Sequence, residues 1–159
     1  VSDTQRGIPG FKIVLTVIGL VYVAMGASMV VRGVGALRPF GVPEDVIASP
    51  VMADFFLFFY QLMMCVGGLM VLFGHVTVGR SRQIAVAAAF MLFDVLVALR
   101  DLSTSDSRFG NRLYRGDDTL VFVAISVTLA LVFGALVVLG VRGRSTAAAK
   151  DPPPPATST

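Results

Sequence analysis

The chain has 159 residues, of which 55% are hydrophobic and only 14% charged, and its mean hydropathy is +0.82. So much apolar surface, gathered into long uncharged blocks, excludes an ordinary soluble domain, whose exterior must face water. A net charge of +3 dispersed along the chain excludes a nucleic-acid surface, and a single Cys and a single His exclude an internal disulfide, a CxxC motif, c-type haem attachment and haem held between two histidines of this chain. Lys occurs only at Lys12 and Lys150 amid many Arg, Ala and Val, which suggests a GC-rich, actinobacterial origin, and Val1 fits a literally translated GTG start.

Four apolar blocks follow in order, each compatible with a hydrocarbon core of ~30 Å at 1.5 Å per residue. The first covers about 13–31 and ends at Arg32. Arg6 and Lys12 ahead of it resemble the start of a signal peptide, but the block outruns a normal h-region and three more follow, so it reads as an uncleaved first span. The connection Arg38-Pro-Phe-Gly-Val-Pro-Glu-Asp predicts a turn, and Pro43-Glu44-Asp45 suits the opening of a short interfacial helix. The second span covers about 51–75 and opens with the aromatic block Phe55, Phe56, Phe58, Phe59 and Tyr60. A tight polar turn, Thr77 to Arg82, leads to a third span over about 83–99, closed by Arg100-Asp101. The loop from Leu102 to Asp118 carries both signs of charge, and the fourth span covers about 119–141. The remainder, 142–159, is Ala-rich and then runs through Pro152 to Pro155, which predicts an extended tail without a core.

The expected fold class is therefore all-α: an integral membrane four-helix bundle over 1–141 with a Pro-rich C-terminal tail over 142–159. Lys and Arg divide almost evenly between the two sides, with Arg6, Lys12, Arg80, Arg82, Arg142, Arg144 and Lys150 against Arg32, Arg38, Arg100, Arg108, Arg112 and Arg115. The reading places both termini and the tail in the cytoplasm of a multi-pass protein of the cell inner (plasma) membrane, with the two longer loops outside.

Polar residues within the spans are the candidate site. Asp94 lies about six residues, roughly 9 Å, from the Arg100 end of its helix, where an unpaired carboxylate costs several kcal/mol. It reads first as a buried partner locking two helices and second as a proton-carrying carboxyl or part of a ligand pocket. The short second connection makes spans two and three antiparallel neighbours, which predicts a polar cluster of Asp54, Asp94, Arg100 and Asp101, with Arg100 bridging Asp54 or Asp94. Asp101 follows Asp94 by seven and shares its face. Gln61 follows Asp54 by seven and precedes Cys65 by four, giving span two a polar stripe that continues to Gly68 and is expected to face protein. Gln61 reads as an interhelical hydrogen-bonding residue, or alternatively as part of a pocket for a quinone, and Cys65 as a small packing residue. His75 has no companions at metal-ligand spacing and reads as an interfacial polar residue.

Small residues mark helix packing. Ser126, Ala130 and Gly134 recur every four residues, Gly19 and Gly26 stand seven apart, Ala24 and Ser28 four apart, and Ala85 to Ala89 slim the third span. The aromatic block covers every face of its helix, so part of it must meet lipid or another subunit.

Ile18-Gly19-Leu20-Val21-Tyr22, with Phe93-Asp94-Val95 and Arg100-Asp101-Leu102, resembles patterns in small four-helix bacterial membrane proteins of the BphX and DoxX kind, a likeness over the first two-thirds of the chain that implies four spans. In general character the chain is also similar to accessory factors of the actinobacterial cytochrome bcc–oxidase respiratory supercomplex. No catalytic residue carries over from either. The expected function is a non-catalytic accessory or structural subunit of a larger membrane assembly, most plausibly respiratory. The rival is a small-molecule protein that binds a quinone or lipid, or a proton-coupled carrier using Asp94. With no nucleophile–base pair or metal cluster in view, no enzyme, cofactor or metal is expected, and the expected partners are other integral membrane subunits, lipid and a quinone.

Overall fold

A computed structural model describes residues 7–40, 42–104 and 117–150. Helix α1 spans Phe11–Arg32, a 3-10 helix Val34–Phe40, α2 Glu44–Ile47, α3 Pro50–Val76, α4 Arg80–Thr104 and α5 Asp117–Lys150, and no strand occurs among the described residues. Four of these helices, α1, α3, α4 and α5, are long and apolar enough to cross a membrane, so the fold is an all-α membrane four-helix bundle.

The elements end where backbone chemistry requires. Gly33, at φ 68°, closes α1 in the left-handed region, and its N–H donates to the Met29 carbonyl. Pro50 opens α3 at a position whose N–H would have no helical partner anyway. Gly79, at φ 89°, makes the reversal into α4. Helix α2 is the short segment expected after Pro43.

Three boundaries correct the sequence reading. Arg80 to Arg82 are helix and not turn, and α4 runs on through Arg100 and Asp101 to Thr104. Charge ends a hydrophobic block without ending a helix, because Arg and Ser at a membrane boundary keep their backbone hydrogen bonds while their polar ends reach water. For the same reason α5 continues from Val141 to Lys150, so 142–150 is not the extended tail expected. Residues 151–159, with the prolines, and 105–116, with Asp106, Arg108, Arg112 and Arg115, lie outside the described residues.

The bundle is built from two tightly packed antiparallel pairs, α1 with α3 and α4 with α5. Spans two and three are joined by Thr77–Gly79 but are not each other's close neighbours, contrary to expectation. Glycine explains the choice. A Cβ added at Gly19 would stand 2.5 Å from the Gly67 carbonyl oxygen, and one at Gly67 would stand 2.5 Å from the Gly19 oxygen, so α1 and α3 cross backbone to backbone. Gly26 lies against Met64 and the Tyr60 carbonyl, and Gly74 against Leu15 and the Lys12 carbonyl, extending the seam both ways. In the other pair, Phe90 stacks on Phe133 at 5.4 Å, Gly134 faces Met91 and Gly140 receives Ile84.

Phe11, Leu15, Met70, Ala87, Phe133 and Leu136 form a buried core to which all four long helices contribute. A smaller cluster, Leu37, Val42, Ile47 and Phe56, roofs the far end of α1 and α3. Arg38 donates to Glu44 there at 2.8 Å and 3.3 Å, and that hydrogen bond holds the Glu44 carboxyl below its ordinary range.

Candidate functional site

Helix α4 turns one face into the bundle, carrying Gln83, Ala87, Asp94 and Ala98, spaced at four, seven and four residues. Two of these positions are polar, and the structure treats them oppositely. Gln83 is engaged at both ends of its amide: its Oε1 accepts the Ile8 backbone N–H at 2.6 Å, and its Nε2 donates to the Thr77 carbonyl at 3.0 Å. It ties the chain entering α1 to the turn between α3 and α4, a structural role that no spacing or motif around Gln83 signals. Asp94 is 1% exposed, and its Oδ2 meets no hydrogen-bond partner among the described residues. Tyr22, half-buried on α1, places its phenol within electrostatic range of Asp94.

The two helix pairs thus set an acid and a phenol within electrostatic range of each other, Tyr22 lying about ten residues, or roughly 15 Å, from the end of α1 at Arg32. The register fixed by Gly134 against Met91 sets the small Ala130 of α5 across from Asp94, and buried Ser126 one turn further along. Chemically, this arrangement offers a carboxyl group shielded from water, a neighbouring O–H and small residues around them. Sequence reasoning singled out Asp94. Tyr22 appeared only within the resemblance, since nothing in the spacing of α1 pairs it with a residue on α4.

The expected polar cluster is not assembled as predicted. Arg100 pairs with the adjacent Asp101, at 2.6 Å from its terminal nitrogen and 3.1 Å from Nε. Neither Asp54 nor Asp94 takes part in that pair. Asp94 and Asp101 do share the inward face of α4, with the Asp101 side chain 13% exposed. Asp54 instead stands exposed on α3.

The rest of the α3 stripe goes with it. Gln61, Cys65 and Gly68 are all exposed, and a Cβ at Gly68 would meet nothing within 4 Å. The stripe was expected to face protein, but within this chain it points away from the bundle. The cause is competition for the inward face of one helix. Gly67, Met70 and Gly74 occupy it against α1, and at 100° per residue the stripe lies about 150° around from them. Phe55, Phe58 and Phe59 are likewise exposed, while Phe56 turns inward, its ring tilted against that of Tyr60 with centroids 4.6 Å apart. His75 is exposed, with Nδ1 bonded to the Val71 carbonyl at 2.9 Å. Among the described residues no three His, Cys, Asp or Glu side chains gather as a metal site.

The packing residues divide more favourably. Gly19, Gly26 and Ser126 are buried and Ala130 and Gly134 half-buried, whereas Ala24 and Ser28 face outward. Ala85 and Ala89 border an apolar cleft of about 500 Å³ between α3 and α4, where Leu69 and Phe73 form the opposite wall.

These features define a multi-pass α-helical membrane protein with, among the described residues, one buried acid and one outward polar helix face. No family model matches the chain, and neither a curated protein nor a solved structure matches it.

Proposed function

We propose that the chain is a non-catalytic accessory or structural subunit of a larger membrane assembly. The observation that carries the reading is the outward face of α3, with Asp54, Gln61, Cys65 and Gly68 exposed. A hydroxyl on a lipid-facing helix can satisfy itself, as Thr128 does on the Ala124 carbonyl at 2.7 Å. A primary amide carries two donors and an acceptor; a helix carbonyl can take one N–H as it takes a hydroxyl, but the amide oxygen finds no free backbone N–H on a helix whose donors are already bonded. Gln61 in the apolar middle of α3 therefore needs a partner from another helix, and bare Gly68 leaves room for one to approach.

The finer form of the proposal, an accessory factor of a respiratory supercomplex of the cytochrome bcc–oxidase kind, rests on the general character of the sequence. Cys65 tests both levels, because it is the only cysteine and lies in the stripe. A thiol-anchored photocrosslinker at Cys65, used in native membranes, should capture one stoichiometric membrane subunit, and Gln61→Leu should abolish the capture. Haem absorbance in the captured complex would favour the respiratory form. A monodisperse free monomer in mild detergent, with only lipid adducts at Cys65, would refute the assembly reading.

A second reading, a proton-coupled carrier or quinone site, is favoured by the buried, unpartnered Asp94 beside Tyr22. Asp94→Asn separates the two: activity lost with assembly intact supports the site, and assembly lost supports the subunit.

A further inference from the structure

Helices α3 and α4 part immediately beyond their three-residue connection, and the gap is the cleft of about 500 Å³. Val66, Leu69 and Phe73 form one wall and Ala85, Ala89 and Phe93 the other, with no polar side chain among the lining residues. The cleft exists because Ala85 and Ala89 are too small to reach α3, and it opens outward, since Leu69, Phe73, Ala85, Ala89 and Phe93 are all exposed. From Ala85 to Phe93 it runs about 12 Å along α4, most of the ~15 Å depth of one leaflet. A cleft lined only by apolar side chains and open toward the hydrocarbon layer meets alkyl chains there, and an alkyl chain can lie lengthwise along its roughly 12 Å.

A charge stands at the mouth. Arg82 precedes Ala85 by three residues and Ala89 by seven, so helical phase puts it on the cleft face, and it is exposed. It lies at the polar end of α4, the depth at which a lipid phosphate sits when its chain lies along Ala85 and Ala89. We propose that this cleft binds one acyl chain of an anionic phospholipid, with the phosphate held by Arg82. The site is independent of the α3 stripe, which faces elsewhere, and does not require the assembly reading.

The chain contains no Trp, so a single introduced Trp reports on one place. Leu69→Trp and Phe93→Trp place it in the cleft, and Leu131→Trp, at a residue 70% exposed on α5, serves as the control. Each protein is reconstituted in phosphatidylcholine vesicles containing mid-chain-brominated phosphatidylglycerol or, at equal mole fraction, mid-chain-brominated phosphatidylcholine. Brominated phosphatidylglycerol should quench the cleft reporters at an about fivefold lower mole fraction than brominated phosphatidylcholine, the preference one surface Arg gives an anionic headgroup. Leu131→Trp should respond equally to both, and Arg82→Gln should equalise the two lipids at the cleft. Phe93→Trp provides an independent reporter where Leu69→Trp disturbs the fold. Equal quenching in the cleft, the same preference at Leu131→Trp, or cleft reporters shielded from both lipids would overturn the proposal.

Discussion

Replacing Gly67 and its neighbour Gly68 with alanine should have opposite consequences. At Gly67 the added Cβ would stand 2.5 Å from the Gly19 carbonyl oxygen, 2.8 Å from the Tyr22 Cβ and 3.0 Å from a Val23 methyl. The first of these is backbone and cannot rotate away, so α1 and α3 must separate by nearly 1 Å to restore ordinary contact. A gap of 0.5–1 Å forfeits a quarter to a half of each atom-pair attraction, itself about 0.1–0.2 kcal/mol. Over some tens of pairs along the seam this amounts to roughly 1–3 kcal/mol, in line with other overpacked interiors. Alanine returns up to about 1 kcal/mol of helix propensity, leaving a net loss centred on about 1 kcal/mol. At Gly68 the new Cβ meets nothing, and the propensity gain stands alone.

Unfolding of each variant in mixed micelles of increasing SDS fraction, followed by circular dichroism, measures the difference. Gly67→Ala should unfold at lower SDS fraction than the parent, and Gly68→Ala at equal or higher. Gly19→Ala should mimic Gly67→Ala, and the double variant should lose less than the two single losses together, because one separation of α1 from α3 relieves both clashes. Gly67→Ala as stable as the parent, or Gly68→Ala the weaker of the two, would refute the account of the seam.

Four other outcomes follow from named contacts. Gln83→Leu strands the Ile8 N–H and the Thr77 carbonyl, so about 1–3 kcal/mol of stability should be lost and the Ile8 amide should exchange its hydrogen faster. Asp94→Leu replaces a buried, unpartnered carboxyl with an apolar side chain of similar size and should stabilise the bundle by on the order of 1–3 kcal/mol in the same SDS titration; destabilisation would mean that Asp94 is a structural lock. Because the Glu44 carboxyl is held below its ordinary 4.5, the Arg38–Glu44 bond contributes fully above that value and is lost as pH falls through the lowered one, so amide protection over Val34–Ile47 should drop in acid and Glu44→Gln should remove that pH dependence. Cys65, exposed on α3, should react in vesicles with a membrane-permeant maleimide, whereas a charged, impermeant maleimide should leave it unlabelled, as mass spectrometry can measure.

The spans were legible because hydropathy over some twenty residues is a summed signal that no single residue can overturn, and the inward Gly19, Gly26 and Ser126 were legible because small residues in a span have few other uses. The ends were misread wherever charge was taken as a helix stop, at Arg80, Arg100 and Arg142, since the helix backbone is indifferent to charge and only the side chain must find water. Gly67 and Gly74 went unnoticed although they repeat the seven-residue spacing of Gly19 and Gly26. The pairing of Tyr22 with Asp94 left no trace in the sequence, because it depends on how one helix pair is set against the other. Ala85 and Ala89 were rightly seen as slim, but slimness alone does not say whether a neighbour closes in or a gap remains.

The misplacement of the α3 stripe tells more about the protein than the successes do. The rule that polar groups in a span seek protein is sound, but it does not say whose protein. Helix α3 carries two seams about 150° apart, one of glycines and one of Asp54, Gln61, Cys65 and Gly68. A four-helix bundle buries only one side of each helix, so a helix with two interface-like faces has one more than this bundle can use. Backbone contact at Gly19 and Gly67 decides which seam α1 takes: one seam offers Gly67 and Gly74 two turns apart, against the single Gly68 of the other. The polar seam is left over by geometry, and its amide cannot be satisfied by lipid. A second helix from outside the chain meets both conditions.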